Sequence, residues 1–337
     1  MKTTYLFKSF CILALGLSLA GCEEKFGEGV TLTDIQLESE STRVLVGNIV
    51  KFNAYPVPWD CTDYEFTWET ANPSVATVSP SGRIDAVDLG TTRITVSQGS
   101  IKKEFSVEVY EVYEETLPGK IETLGAKGAW HFEDANNLEK ATIGNDLLAY
   151  KMDGNKTTGS PSLDGFSHVP GPTKRNYAVR VPKQSYFRCD HGFAASGGGS
   201  KVNEYTLLIN VRIPKLGIYY SIFETDDLGM SSDSDGFIRP GADWGVRGSY
   251  TENTLFEANK WYQMVITLNN NGQLNYYLNG SLVDTKEMPL NSHAAWLTEA
   301  VLLFADEDGE DNEFDIATVA IWDRELTADE VSFLKGF

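Results

Sequence analysis

Residues 261–285 carry two Asn-Gly pairs set between runs that alternate apolar and polar side chains. Tyr262, Met264, Ile266 and Leu268 alternate with Gln263, Val265 and Thr267. Asn271-Gly272 follows, Leu274, Tyr276 and Leu278 alternate back, and Asn279-Gly280 turns the chain again. Alternation at period two buries one face of a strand. Asn-Gly between such runs is the strongest short hairpin signal, because both residues of the tight turn are expected at positive φ. Two in succession predict an antiparallel meander.

The same signals recur on both sides of an acidic segment. From about Val30 to Tyr110, Val50, Phe52 and Ala54 alternate with polar neighbours, as do Ile84 and Ala86, Ile94 and Val96, and Val107 and Val109. Ser79-Pro80-Ser81-Gly82 and Gly99-Ser100 are turn chemistry. Residues 111–125, with Glu111, Glu114, Glu115, Pro118 and Gly119, read as a charged linker. Residues 126–337 read as a second, larger β domain. Only its end looks helical, where Thr327-Ala328-Asp329-Glu330 forms a capping box before Val331, Phe333 and Leu334. The fold class is all-β, with two sandwiches in series.

The N-terminus places the chain. Lys2 and Lys8 precede an apolar run from Phe10 to Ala20, which is of signal-peptide length and too short to span a bilayer comfortably. It ends in Leu19-Ala20-Gly21-Cys22, which resembles the lipobox of bacterial lipoproteins. That resemblance implies cleavage of residues 1–21, lipidation of Cys22, a tether over 22–29 and a membrane attachment through lipid alone. Glu23-Glu24-Lys25 after the cysteine favours the outer membrane by resemblance to lipoprotein sorting, and the cell surface is the expected face. The formal net charge of −20 makes nucleic acid a poor partner, since phosphates need Lys and Arg. Cys61 and Cys189 lie in different predicted domains, so no bridge between them is expected.

Within residues 30–110, Trp68, Asn72-Pro73-Ser74-Val75-Ala76-Thr77-Val78, Ser81-Gly82, Gly90-Thr91 and the closing Val107 and Val109 resemble the group 2 bacterial immunoglobulin-like domain. Trp68 would fill the space between two small sheets with Ala76 and Val78 facing it. Such domains act mostly as spacers or adhesive stalks. In residues 126–337, the pieces are Ala129-Trp130-His131-Phe132-Glu133-Asp134, Ala258-Asn259-Lys260-Trp261-Tyr262 and Tyr276-Tyr277-Leu278-Asn279-Gly280, with the closing run from Phe314 to Thr327. In that order they resemble laminin-G-like, concanavalin-A-like jelly rolls. The resemblance implies two packed antiparallel sheets and a role in binding glycans or proteins, without naming a ligand.

The same sandwich carries glucanases of glycoside hydrolase family 16, whose strand motif is Glu-x-Asp-x-(x)-Glu. Here Glu313-Phe314-Asp315-Ile316-Ala317-Thr318 supplies the first two carboxylates and puts Thr318 where the acid should stand. A retaining mechanism needs two carboxyls about 5 Å apart, and no other pair is expected at strand spacing. The head is therefore read as non-catalytic. Residues 306–315 crowd seven carboxylates into ten positions. A hard dication would relieve their repulsion, so Asp306, Asp308 and Asp311 are candidate calcium ligands beside the reading of a solvated acidic loop. Residues 223–250 hold the side-chain types that bind sugars, an aromatic face with carboxylates and amides. The candidates are Asp227, Trp244, Arg247 and Tyr250. Trp244 shares a strand face with Val246, which equally suits a core position. The leading function is an outer-membrane lipoprotein whose head binds carbohydrate and aids glycan capture. The alternative is an adhesin or assembly component binding an envelope protein.

Overall fold

The computed structural model describes residues 29–39, 41–153, 159–225, 235–252, 255–289, 295–306 and 310–337. The signal segment, Cys22, Asp227 and Asp308 lie outside the described residues. Contacts divide the chain into two units that meet between Glu111 and Val112.

The first unit contains β1 (Asp34–Ser39), β2 (Arg43–Leu45), β3 (Ile49–Val57), β4 (Thr67–Thr70), β5 (Ala76–Val78), β6 (Arg83–Ala86), β7 (Gly90–Gln98) and β8 (Ile101–Tyr110). They form two four-stranded sheets, β1-β3-β6-β5 and β2-β8-β7-β4. The alternating residues meet between them, with Phe52, Ala76, Ile84, Ile94, Val107 and Val109 buried. Phe52 stacks on Phe105 at 4.1 Å, and Trp68 meets Phe105 edge-on at 6.5 Å. Gly82 explains the Ser79–Gly82 turn: a β-carbon there would lie 2.2 Å from the Phe52 carbonyl oxygen and 2.9 Å from the Trp68 ring. Backbone can approach so closely only at glycine.

The second unit contains α1 (Leu117–Thr123), β9 (Gly128–Trp130), β10 (Leu148–Lys151), β11 (Ser160–Pro161), β12 (Ser167–Pro170), β13 (Tyr177–Val181), β14 (Ser185–Cys189), β15 (Tyr205–Arg212) and β16 (Tyr220–Thr225). Then follow β17 (Asp235–Ile238), β18 (Trp244–Val246), β19 (Ser249–Tyr250), β20 (Trp261–Leu268), β21 (Gln273–Leu278), β22 (Ser281–Glu287), β23 (Val301–Leu303), β24 (Phe314–Trp322) and α2 (Ala328–Phe333). One sheet, here the front, runs β11-β10-β14-β23-β16-β17-β18-β19. The back sheet runs β12-β13-β24-β15-β20-β21-β22, with β9 added against β24. Tyr205, Phe187, Phe223, Trp244, Tyr276 and Phe304 are fully buried between them. Each such side chain stabilises the sandwich by about 1.5–3 kcal/mol. Cys61 and Cys189 are free and buried, one in each unit.

The meander forms as β20, β21 and β22, with Met264 opposite Leu278 and Tyr276 opposite Asp284. Its two turns differ. Asn279 and Gly280 both take positive φ, at 51° and 77°. In the first turn only Gly272 does, at 81°. There the Asn269 side chain accepts the N–H groups of Asn271 and Gln273, each at 3.0 Å, and holds a longer turn in which one left-handed residue suffices.

The expected linker over 111–125 is corrected. A 3-10 turn at Tyr113–Glu115 leads into α1, whose Leu117 and Ile121 are buried. They pack with Leu208, Val265, Ala320 and Trp322 on the outer face of the back sheet, beside Val331 and Leu334 at α2. Thr116 caps α1 by accepting the Gly119 N–H, and Pro118 sits in its first turn, where no N–H is needed. Two apolar residues one turn apart thus outweigh the acidic composition around them. The Thr327 capping box forms with Glu330. Two helices thus cover part of the outer face of the back sheet.

Candidate functional site

The outer face of the front sheet is built differently. On β17, Ile238 joins the core, so alternation turns Asp235, Phe237 and then Arg239 to the other side. On β18, Trp244 and Val246 join the core and Gly245 and Arg247 face away. Tyr250 lies opposite Gly245 in the register and shares that outward face. Glu224, at the end of β16, lies opposite Asp235.

Charged and aromatic groups interlock on this face. Arg247 forms an ion pair with Asp235, whose side chain is 2% exposed against 42% for the arginine. The Arg239 Nε donates to both carboxylate oxygens of Asp243, at 3.2 and 3.1 Å. Its guanidinium lies over the Tyr250 ring, 3.9 Å from the centroid. Burial, and next the charge of Asp235, push the Tyr250 hydroxyl up to about 12. Glu310 adds to that rise and so stands within electrostatic reach of the ring. The Asn312 Nδ2 donates to the Tyr219 carbonyl oxygen at 2.8 Å and ties the loop to the start of β16. Tyr219 itself is half-buried and meets Phe237 edge-on at 6.0 Å.

Gly245 makes the closeness of β18 and β19 possible. A β-carbon there would lie 2.4 Å from the Ser249 carbonyl oxygen and 2.8 Å from the Tyr250 α-carbon. Gly248, at φ 75°, closes the two-residue turn between the strands.

The sugar-binding candidates separate accordingly. Arg247 and Tyr250 belong to this face. Trp244 does not: it is fully buried in the core, edge-on to Tyr276 at 5.1 Å, and is corrected to a packing residue. Arg239 and Asp243, which complete the site, were not among the candidates, although both lie within the stretch that held them.

The expectation that no further carboxylate pair stands at strand spacing is also corrected. Glu224 and Asp235 are direct antiparallel partners, 2% and 1% exposed. Side chains in such positions have β-carbons about 4.5–5.5 Å apart. By contrast, Asp315 sits on the outer face of the back sheet between two arginines. It accepts from Arg180 Nε at 2.7 Å and from Arg212 Nη2 at 2.7 Å, beside a cavity of about 210 Å³ that Glu313 also lines.

Asp306 and Asp311 are both buried, and both already accept backbone N–H groups, from Glu310 and Gln184. Burial raises the Asp311 carboxyl above its ordinary value, and its Oδ1 has no hydrogen-bond partner. Among the described residues no three His, Cys, Asp or Glu side chains come together to hold a metal ion.

Comparison with known proteins bears on both units. Residues 31–109 match the family "Bacterial Ig-like domain (group 2)", and residues 201–332 match the "Concanavalin A-like lectin/glucanases superfamily". The chain is thus built of an immunoglobulin-like sandwich followed by a concanavalin A-like jelly roll. It is 32% identical over 77 residues to intimin of Hafnia alvei, covering 23% of this chain and 25% of that protein. It therefore spans about a quarter of the length of that curated relative. Among solved structures it is similar to domain 4 of AbnA, a GH43 extracellular arabinanase from Geobacillus stearothermophilus, in complex with arabinotriose. There the identity is 15% and the TM-score 0.43, over 63% of this chain and 98% of that one. It is also similar to the ligand binding domain of botulinum neurotoxin serotype D in complex with N-acetylneuraminic acid. That match has 14% identity and a TM-score of 0.44, over 64% of this chain and 52% of the other.

Proposed function

We propose that the second unit is a carbohydrate-binding head that holds glycan without cleaving it. The first unit is its spacer, and lipid on Cys22 anchors the whole to an outer membrane. One observation carries the reading: helices cover the outer face of the back sheet around Leu208, Val265 and Trp322, whereas the front sheet presents Arg239 on Tyr250, Arg247 on Asp235, and Tyr219. A ring face for sugar C–H groups and fixed charged groups for hydroxyls are what carbohydrate recognition needs. Binding rather than hydrolysis is favoured because Glu224 and Asp235 are both buried and Arg247 is paired with Asp235, whereas a general acid must come within hydrogen-bond reach of the leaving oxygen.

Purified protein should be retarded by a polysaccharide in an affinity gel without releasing reducing sugar. Hydrolysis that disappears in Glu224→Gln would overturn the non-catalytic reading and make the Glu224–Asp235 pair its centre. Calcium enters the proposal only as an accessory at the 306–311 rim. The same gels run in millimolar calcium and in EDTA test it, and equal retardation in both removes it. For the anchor, Cys22→Ala should release the protein from membranes and abolish acyl labelling.

A second reading, protein binding by an adhesin or assembly component, is favoured by the first unit. Its Trp59 is 80% exposed, with Tyr64 and Tyr55 also on the surface. Exposed aromatics of this kind are typical of contact surfaces. Retention of an envelope protein that Trp59→Ala abolishes, with no glycan retarded, would select it.

A further inference from the structure

We infer that the front-sheet face selects uncharged, hydroxyl-rich glycan and rejects acidic glycan. The inference rests on the carbohydrate-binding reading and deepens it. Two arginines on a binding face would ordinarily suggest an anionic ligand, because guanidinium groups match carboxylates and sulfates in bidentate fashion. Here both are already matched from within. Arg239 gives its Nε to Asp243 and its face to Tyr250. Arg247 is paired with Asp235, which is almost completely buried and cannot swing away to release it.

The charge count points the same way. Among the described residues, Arg239 and Arg247 stand against Glu224, Asp235, Asp243 and Glu310, a formal sum of −2, and Arg188 on the same face is paired with Asp190 and leaves that sum unchanged. A uronate or sulfate entering this face would meet like charge in a partly desolvated setting, which costs more than in bulk water. The −20 net charge of the chain adds a long-range field that repels polyanions at low salt. A neutral sugar suffers none of this. Its hydroxyls can donate to Glu310, the carboxylate of the four that is not buried, and its C–H face can lie against the half-buried Tyr219 ring.

The experiment is affinity electrophoresis of the full chain, at low and at high salt. One panel of gels holds neutral polysaccharides (arabinan, laminarin, galactomannan) and a second holds acidic ones (polygalacturonate, alginate, chondroitin sulfate). The wild type should be retarded by at least one neutral polymer and by none of the acidic ones. Asp243→Asn, which uncovers Arg239, and Glu310→Gln, at the loop surface, should each raise retardation in acidic gels at least fivefold at low salt. That gain should vanish at high salt. Circular dichroism spectra matching the wild type show that each variant is folded. Wild-type retardation by acidic but not neutral polymers overturns the inference and leaves the binding reading standing. Absence of retardation in every gel overturns both.

Discussion

Arg239 lies over the Tyr250 ring, 3.9 Å from guanidinium carbon to ring centroid, while its Nε donates to Asp243. The stack leaves Tyr250 one covered face and fixes the arginine without burying it. A cation over an aromatic ring contributes about 0.5–1 kcal/mol at exposed sites. Tyr250→Ala should therefore weaken glycan binding by more than a lost ring contact, because Arg239 loses its support too. A five- to thirtyfold rise in Kd is expected, equivalent to about 1–2 kcal/mol. A double-mutant cycle with Arg239→Ala should show coupling of about 0.5–1 kcal/mol, and simple additivity would mean the stack is incidental.

Gly245 offers a test of how the face is positioned. An added β-carbon meets the Ser249 carbonyl oxygen at 2.4 Å, so Gly245→Ala should push β19 and Tyr250 aside. A loss of about 1–3 kcal/mol and abolished binding are expected from such overpacking. Gly248→Ala is the control. Nothing lies within 4 Å of its β-carbon, and only the positive φ of 75° resists it, at about 1–2 kcal/mol. Binding should survive there once the protein is kept below its melting temperature.

Most of the architecture could be read directly, and the reason lies in periodicity. Met264, Ile266, Leu274 and Tyr276 stand where alternation put them, in the core, and Thr327 caps its helix. The helix at 117–123 escaped because its only apolar pair, Leu117 and Ile121, sits in a strongly acidic stretch that resembles a tether. The site was half legible. Arg247 and Tyr250 stood out by side-chain type, but nothing local signals that Arg239 and Asp243 grip one another across a turn. The Glu224–Asp235 pairing was hidden for a different reason: partnership across strands is fixed by register, which separation in sequence does not reveal. Trp244 shows the converse, since its alternation with Val246 already favoured the core.

Asp315 should matter for stability and Glu313 should not. Asp315 is buried between Arg180 and Arg212, and removing it leaves two guanidiniums facing each other. Breaking a fully buried pair costs about 3–5 kcal/mol, but both arginines reach solvent here, so about 1–3 kcal/mol is expected for Asp315→Ala. Glu313 is half exposed and only 3.7 Å from Arg180 at its nearest, and Glu313→Gln should change stability by less than about 0.5 kcal/mol. Urea unfolding followed in the second unit measures both. Equal effects would show that the network is centred elsewhere.

His131 should make the second unit sensitive to acid. Its ring is buried, with Nδ1 3.4 Å from the Thr318 hydroxyl, and burial alone lowers its pKa from 6.5 to about 4. Thr318, which occupies the place of a catalytic acid in the hydrolase pattern, is thus a partner for a neutral imidazole. The folded state binds this proton less readily than the unfolded chain. The corresponding stability is present above pH 6.5 and is lost as pH falls from about 6.5 through 4. A shift of that size is on the order of 3 kcal/mol when complete. Glu133 and Asp311, whose carboxyls burial raises, act in the opposite sense over the acid range, so the signal lies in a difference. Unfolding free energies of wild type and His131→Gln, measured from pH 7 to pH 4, should converge as the wild type loses its advantage. Parallel curves would mean that His131 is solvated and titrates normally in the folded protein.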